Sequence, residues 1–64
     1  MTHEEAKKAW YEKKPVVSGG IKYLKINALI YRLDKKNNIE PSAELLDQNT
    51  NSVVIARFED VGGI

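Results

Sequence analysis

Few side chains in this 64-residue chain are of the kinds that ligate a metal, move a proton or attack a carbonyl, and those few are scattered. His3 is the only histidine. Glu4 and Glu5 stand beside it, but no second histidine and no cysteine completes a metal site, so it reads as a surface residue in a first helical turn. Glu40, Glu44 and Asp47 fall on or beside one extended stretch. Glu40 and Glu44 share a strand parity, yet strand rise sets them about 14 Å apart, too far for paired acid–base work. Asp47 has the opposite parity, and the three read as a solvated face. Ser18-Gly19-Gly20 has the small residues of a phosphate loop, but it joins two extended segments and lacks the helix N-terminus a phosphate uses. No serine has a histidine base in plausible reach, which removes triad hydrolysis. The expectation is a protein that is not an enzyme and that carries no cofactor or metal.

Aromatic and basic residues form the other constellation. Trp10, Tyr11, Tyr23, Tyr31 and Phe58 interleave with Lys22, Lys25, Arg32 and Arg57, a composition that small β-barrels use to stack single-stranded bases. Core packing and self-association are the commoner uses of such aromatics. Strand alternation sends Tyr31 and Arg32 to opposite faces, so at most one of them joins the core. The candidate interaction surface is Leu29, Tyr31 and Leu33 with Arg32, Lys22, Lys25, Arg57 and Phe58, together with the edge of a Val53-to-Phe58 strand.

Size and charge bound what these residues can belong to. A single domain of 64 residues buries only about 60% of the surface its unfolded chain exposes. With no cysteine to staple it, packing or self-association must supply the stability. The absence of cysteine, of an apolar run near membrane-spanning length and of a signal-peptide pattern points to a cytoplasmic protein with no membrane partner. Net charge is +1, but residues 1–36 hold nine basic side chains against four acidic, and residues 37–64 hold one against five. The plain expectation is that the two halves pair their charges across neighbouring strands; a basic face for a polyanion is the alternative.

The chain then supplies the elements in order. Thr2 with Glu5 makes a capping box, Met1 and Ala6 occupy the staple positions, and Pro15 stops the helix, which spans about 3–13. Its apolar stripe is Ala6, Ala9 and Trp10, with Trp10 the one large anchor. Strands follow over about 15–18, 20–33, 39–47 and 52–58, separated by Gly19-Gly20, by Asp34 to Asn38 and by Gln48 to Asn51. In the long strand Leu24, Ile26, Ala28 and Ile30 form the core parity. The other parity, Ile21 to Leu33 through Tyr23, Lys25, Asn27, Leu29 and Tyr31, is polar in the middle and apolar at both ends, as a bend or bulge produces. Val53-Val54-Ile55-Ala56, apolar on both parities, predicts burial on both sides. Glu59-Asp60-Val61 forms a turn with Val61 tucked back, and Gly62-Gly63-Ile64 frays. These elements define an α+β, mainly β class: an N-terminal helix followed by a four- to five-stranded antiparallel meander closed into a small SH3-like barrel, or else an open sheet with the helix across one face.

With the strands placed, a wider pattern is visible. Trp10, Lys14-Pro15-Val16, Gly20-Ile21-x-Tyr23, Ile26-x-Ala28-x-Ile30-Tyr31-Arg32, and Glu44-Leu45-x-Asp47 leading to Asn51-Ser52-Val53-x-Ile55-Ala56 together resemble small proteins carried by prophages and mobile elements of Gram-positive bacteria. The resemblance covers residues 6 to 61 and implies a short cytoplasmic accessory protein, an adapter or binding module; a homodimer through Leu29, Tyr31 and Leu33 or the Val53-to-Phe58 edge is expected from apolar surface that so small a core cannot cover. The helix-then-barrel order is also similar to Sm-like RNA-binding proteins, whose signature segments are missing here. Nucleic acid is thus the second expected class of partner, behind protein.

Overall fold

The structure, a computed structural model, describes residues 1–47, 49 and 51–63. Its elements run α1 (His3–Glu12), β1 (Val16–Ser18), β2 (Ile21–Tyr23), β3 (Lys25–Leu33), β4 (Ile39–Leu46), β5 (Val53–Arg57), a 3-10 turn (Phe58–Asp60) and β6 (Val61–Gly63). They make two three-stranded antiparallel sheets, ordered β2-β1-β6 and β3-β4-β5, which do not close into a barrel. The class is therefore α+β and mainly β.

Local chemistry sets the turns. The Thr2 side chain accepts from the Glu5 N–H, and the Glu5 carboxylate accepts from the Thr2 N–H, so both halves of the capping box are made. These bonds hold the Glu5 carboxyl below the ordinary glutamate range. The helix ends one residue earlier than the spacing predicts because Lys13 takes the left-handed cap conformation at φ 56° and bonds back to the last turn. Gly19 and Gly20 both have positive φ, the backbone that a two-residue hairpin between Ser18 and Ile21 requires. At the next turn Asp34 Oδ1 accepts from the N–H groups of Lys36 and Asn38, while Asn37 takes φ 62°. Asn51 likewise has positive φ, and the Asn49 N–H donates to Asp47 Oδ1 at 2.7 Å; Gln48 and Thr50 lie outside the described residues.

The long strand is where sequence parity and structure part. The stretch 20–33 breaks at Leu24 into β2, which pairs with β1, and β3, which pairs with β4. The Leu24 N–H still donates to the Leu46 carbonyl at 2.8 Å, so the chain turns from one sheet to the other without losing contact with β4. Two residues further on, the β3–β4 register shifts: Ile26 faces Leu45 and Ala28 faces Glu44, leaving Asn27 as the extra residue of a bulge. A two-against-one bulge exchanges the faces of everything beyond it. Ile26, Leu29 and Tyr31 consequently share the side of Leu45 and Ala43, and Ala28, Ile30 and Arg32 share the side of Glu44, Ser42 and Glu40.

The expected core parity is thus corrected. Ile26 is buried, but Leu24 is 47% exposed and Ala28 and Ile30 are only partly covered. The core is Ala6, Ala9, Val16, Tyr23, Ile26, Ala43, Leu45, Phe58 and Val61, with Met1, Leu29 and Ala56 packed against it. The helix enters through its alanines, whose lack of bulk lets α1 lie close on β3. Trp10, expected as the anchor, is half-exposed instead. Its indole Nε1 donates to the Asn27 carbonyl at 3.3 Å, a bond to the backbone of the bulged residue itself.

Two further expectations change. β5 is not buried on both sides: it is the outer strand of its sheet, and Val53, Val54 and Ile55 keep 47%, 42% and 46% of their surface. Gly62 and Gly63 do not fray but pair with Val17 and Val16, completing the smaller sheet; Ile64 lies outside the described residues. The turn before them does form, with Phe58 and Val61 both buried. Pro41, which weakened the first half of β4 as a strand, pairs with Tyr31 beyond the last residue of β5, where β4 has a strand on one side only.

Two outcomes test the bulge and the cap. Ile26→Ala should cost about 2–5 kcal/mol in urea unfolding, against about 1 kcal/mol or less for Leu24→Ala, a residue of the same sequence parity. Because the Glu5 pKa is depressed in the folded state, its contribution to stability is complete above the unfolded-state pKa and is lost as pH falls through the folded one. Acid unfolding curves of Thr2→Ala should therefore be flatter than wild type below the ordinary glutamate range.

Candidate functional site

The widest collection of aromatic and charged side chains lies where the β3–β4 hairpin, the corner between β5 and the 3-10 turn, and the start of α1 meet. They line a cleft of about 450 Å³. The bulge puts Tyr31 on the inner face, opposite Pro41, and its ring stands edge-on to Phe58 at a centroid distance of 6.0 Å and 76°. On its other side the ring meets His3 at 5.6 Å, and the Tyr31 hydroxyl and His3 Nδ1 share a hydrogen bond of 2.5 Å. The amino group of Met1 donates to the Phe58 carbonyl at 2.6 Å, tying the first residue of the chain to the same corner. Phe58 is the buried floor and Tyr31 a half-exposed wall whose orientation is fixed from both sides.

Charge surrounds this aromatic wall. Arg57 Nε contacts Glu40 Oε1 at 3.1 Å and Arg57 NH1 contacts Glu59 Oε1 at 3.4 Å. The Glu59 hydrogen bond, followed by the field of Glu40, pushes the Arg57 pKa further up. Asp34 and Ile39 complete the mouth. Two carboxylates therefore hold the Arg57 guanidinium, and the Met1 amino group is a second cation in the lining. No group of three or more histidine, cysteine, aspartate or glutamate side chains able to hold a metal ion occurs among the described residues.

Of the residues singled out from the sequence, the structure brings Tyr31, Arg57 and Phe58 together in this cleft. Leu29 packs against the core, while Leu33 faces Ile39 at the hairpin end, both largely exposed. Arg32 stands opposite Glu40 on the other face of the sheet. Lys22 lies on β2, opposite Val17, and Lys25 opposite Leu46, so neither joins the aromatic wall. Tyr23 is buried, and Trp10 packs edge-on to Tyr11 on the helix, so the five aromatics do not form one platform. Sequence reasoning missed Met1, Asp34, Ile39, Pro41 and Glu59 in this lining, and also His3 and Glu40, both read as surface residues. The partners of His3 and Glu40 lie 28 and 17 residues away, beyond any local spacing rule.

The basic and acidic halves do face each other across β3 and β4, where Arg32 stands opposite Glu40, but the ion pairs seen lie elsewhere. The ion pairs among the described residues are Lys14–Glu12, Arg57–Glu40 and Arg57–Glu59, each within its own half. Glu44 accepts from Asn27 rather than from a cation. No helix among the described residues is long and apolar enough to cross a membrane. No protein-family model, curated protein or solved structure matches the chain.

Tyr31→Phe, which keeps the ring and loses the bond to His3, should unfold within about 1 kcal/mol of wild type. Tyr31→Ala, which also removes the edge-on contact with Phe58, should cost about 1–2 kcal/mol more. Urea unfolding of the two variants makes the comparison; equal losses would show that the ring contact contributes nothing.

Proposed function

We propose that the chain is a small non-enzymatic interaction module that associates with a second copy of itself through β5. The observation that carries this reading is the unpaired outer edge of Val53–Arg57, apolar on both faces and nearly half exposed along three successive residues. A free, flat, apolar edge is a template for another strand, and proteins that remain monomeric blunt it with charge or proline. β5 has neither before Arg57. Antiparallel pairing about Ile55 sets Val53 opposite the partner's Arg57 and Val54 opposite the partner's Ala56. The one charge on the strand then never meets its like, and the two Ile55 side chains cover each other. A groove of about 540 Å³ between the β1–β2 hairpin and β5 leaves room for the incoming strand. A five-residue edge offers a small interface, so the association is a weak one.

The element order supports a distant likeness to SH3-like barrels: a strand, a kinked strand shared between sheets, two more strands, a 3-10 turn and a final strand returning to the first. A cytoplasmic accessory protein of a prophage or mobile element fits the absence of cysteine and the resemblance of the chain. Single-strand nucleic-acid binding is the weaker reading, because the exposed rings are split between Trp10 and Tyr11 on α1 and Tyr31 in a cleft that Asp34, Glu40 and Glu59 also line.

Sedimentation equilibrium should show monomer and dimer exchanging at high micromolar concentration, with Ile55→Lys shifting the protein to monomer while its circular dichroism stays unchanged. A strict monomer across that range removes self-association.

A further inference from the structure

Two residues that belong to the inner faces of the sheets are left bare at one end of the molecule. Ile21 shares its strand face with the buried Tyr23, two residues on, yet 52% of it is exposed. Val54 stands opposite the buried Leu45 on the inner face of the larger sheet, yet 42% of it is exposed. Both line the groove of about 540 Å³ between the β1–β2 hairpin and β5. We infer that in the β5-paired dimer the β1–β2 hairpin of each copy closes over the incoming strand, with Ile21 seated on the partner's Val54 and the partner's Ala56.

This rests on the antiparallel β5 pairing and adds to it a contact that the strand edge alone does not contain. A strand paired with β5 lies about 4.8 Å from it. In the register centred on Ile55, the partner's Val54 stands opposite Ala56 and the partner's Ala56 opposite Val54. Residues directly opposite each other project from the same face of a sheet. The incoming valine and alanine therefore point where Val54 and Ala56 already point, into the groove that Ile21 and Tyr23 roof. Two-fold symmetry repeats the contact and brings the partner's Ile21 over the same patch from the other side. The inner-face surface that a single copy leaves uncovered on both of its sheets is then covered once, in one apolar cluster.

Shape and charge both suit a second copy. The inward positions of the incoming strand are small or β-branched, and at the hairpin tip a side chain on Gly19 would meet nothing within 4 Å, so the tip leaves the groove open. The charged groups of the lining, Arg57 and Asp60, are of opposite sign, so no excess charge opposes a like chain. A peptide of another protein would have to bring the same short apolar side chains, which every copy of this chain already carries. Area argues the same way. A five-residue edge alone falls well short of the roughly 800 Å² per partner of a stable interface, and the hairpin adds apolar surface to a contact otherwise held by backbone.

The test uses the intact chain as an equal mixture of carbon-13 methyl-labelled and unlabelled protein, in which isotope-filtered nuclear Overhauser spectra record contacts between copies alone. The Ile21 methyls should show cross-peaks to the Val54 and Ala56 methyls of the other copy, beside the Ile55-to-Ile55 contact of the strand pairing. In sedimentation equilibrium Ile21→Thr, which keeps β-branching at a half-exposed strand position, should weaken dimerisation about tenfold. Leu33→Thr, 67% exposed at the end of the β3–β4 hairpin, should leave it unchanged. Unchanged circular dichroism establishes that each variant is folded, and the wild-type spectra decide the matter without any substitution. An Ile55 contact with none from Ile21 overturns the hairpin closure and leaves the β5 pairing standing, whereas a strict monomer removes both. A loss for Leu33→Thr as large as for Ile21→Thr places the interface at the β3–β4 hairpin end and overturns the closure too.

Discussion

The extra residue at Asn27 is the constraint on which the rest of the molecule depends. Without it, Ile26 and Ile30 would look the same way, and Leu29 and Tyr31 would lie on the opposite side from the buried Leu45. With it, one strand delivers Ile26 to the core at its start and Tyr31 to a cleft at its end, both on the inner face. The bulge also leaves backbone in need of a partner, and Trp10 supplies one from the helix. A polar residue in the middle of the longest strand thereby fixes the register of a sheet and the docking of the only helix in the described chain.

What could be read from the residues was local. The capping box, the two-glycine hairpin and the Asp34-to-Asn38 turn follow from interactions among neighbours within a few positions, and each formed where the spacing placed it. The burial of β3 was not readable by alternation, because alternation assumes one residue per partner and Asn27 breaks that count. The hint was present in the second parity, apolar at both ends and polar at its centre. For β5 the ambiguity is of another kind: Val-Val-Ile-Ala reads the same whether a strand is central or at an edge, and only the sheet order decides. The aromatic cleft was half legible. Tyr31, Arg57 and Phe58 stood out by type, whereas His3 was judged as a metal ligand without a set, when its partner is a tyrosine hydroxyl.

The two surfaces differ in physical character. The β5 edge is backbone and aliphatic side chain up to Arg57. The cleft is aromatic and charged, with Arg57 and the Met1 amino group set among its carboxylates. They share one corner of the chain, since Arg57 ends β5 and holds two of the cleft's carboxylates. A partner strand reaching Arg57 would therefore be felt at Glu40 and Glu59.

The smaller sheet has a bearing on how the protein comes to be folded. Its central strand, Val16–Ser18, is made early in the chain, but one of its two neighbours is Val61–Gly63, among the last residues described. Only a chain that has reached residue 63 can finish that layer, and the buried Val16 and Val61 meet only then. Contacts so distant in sequence form more slowly than those of the β3–β4 hairpin, whose strands are neighbours along the chain.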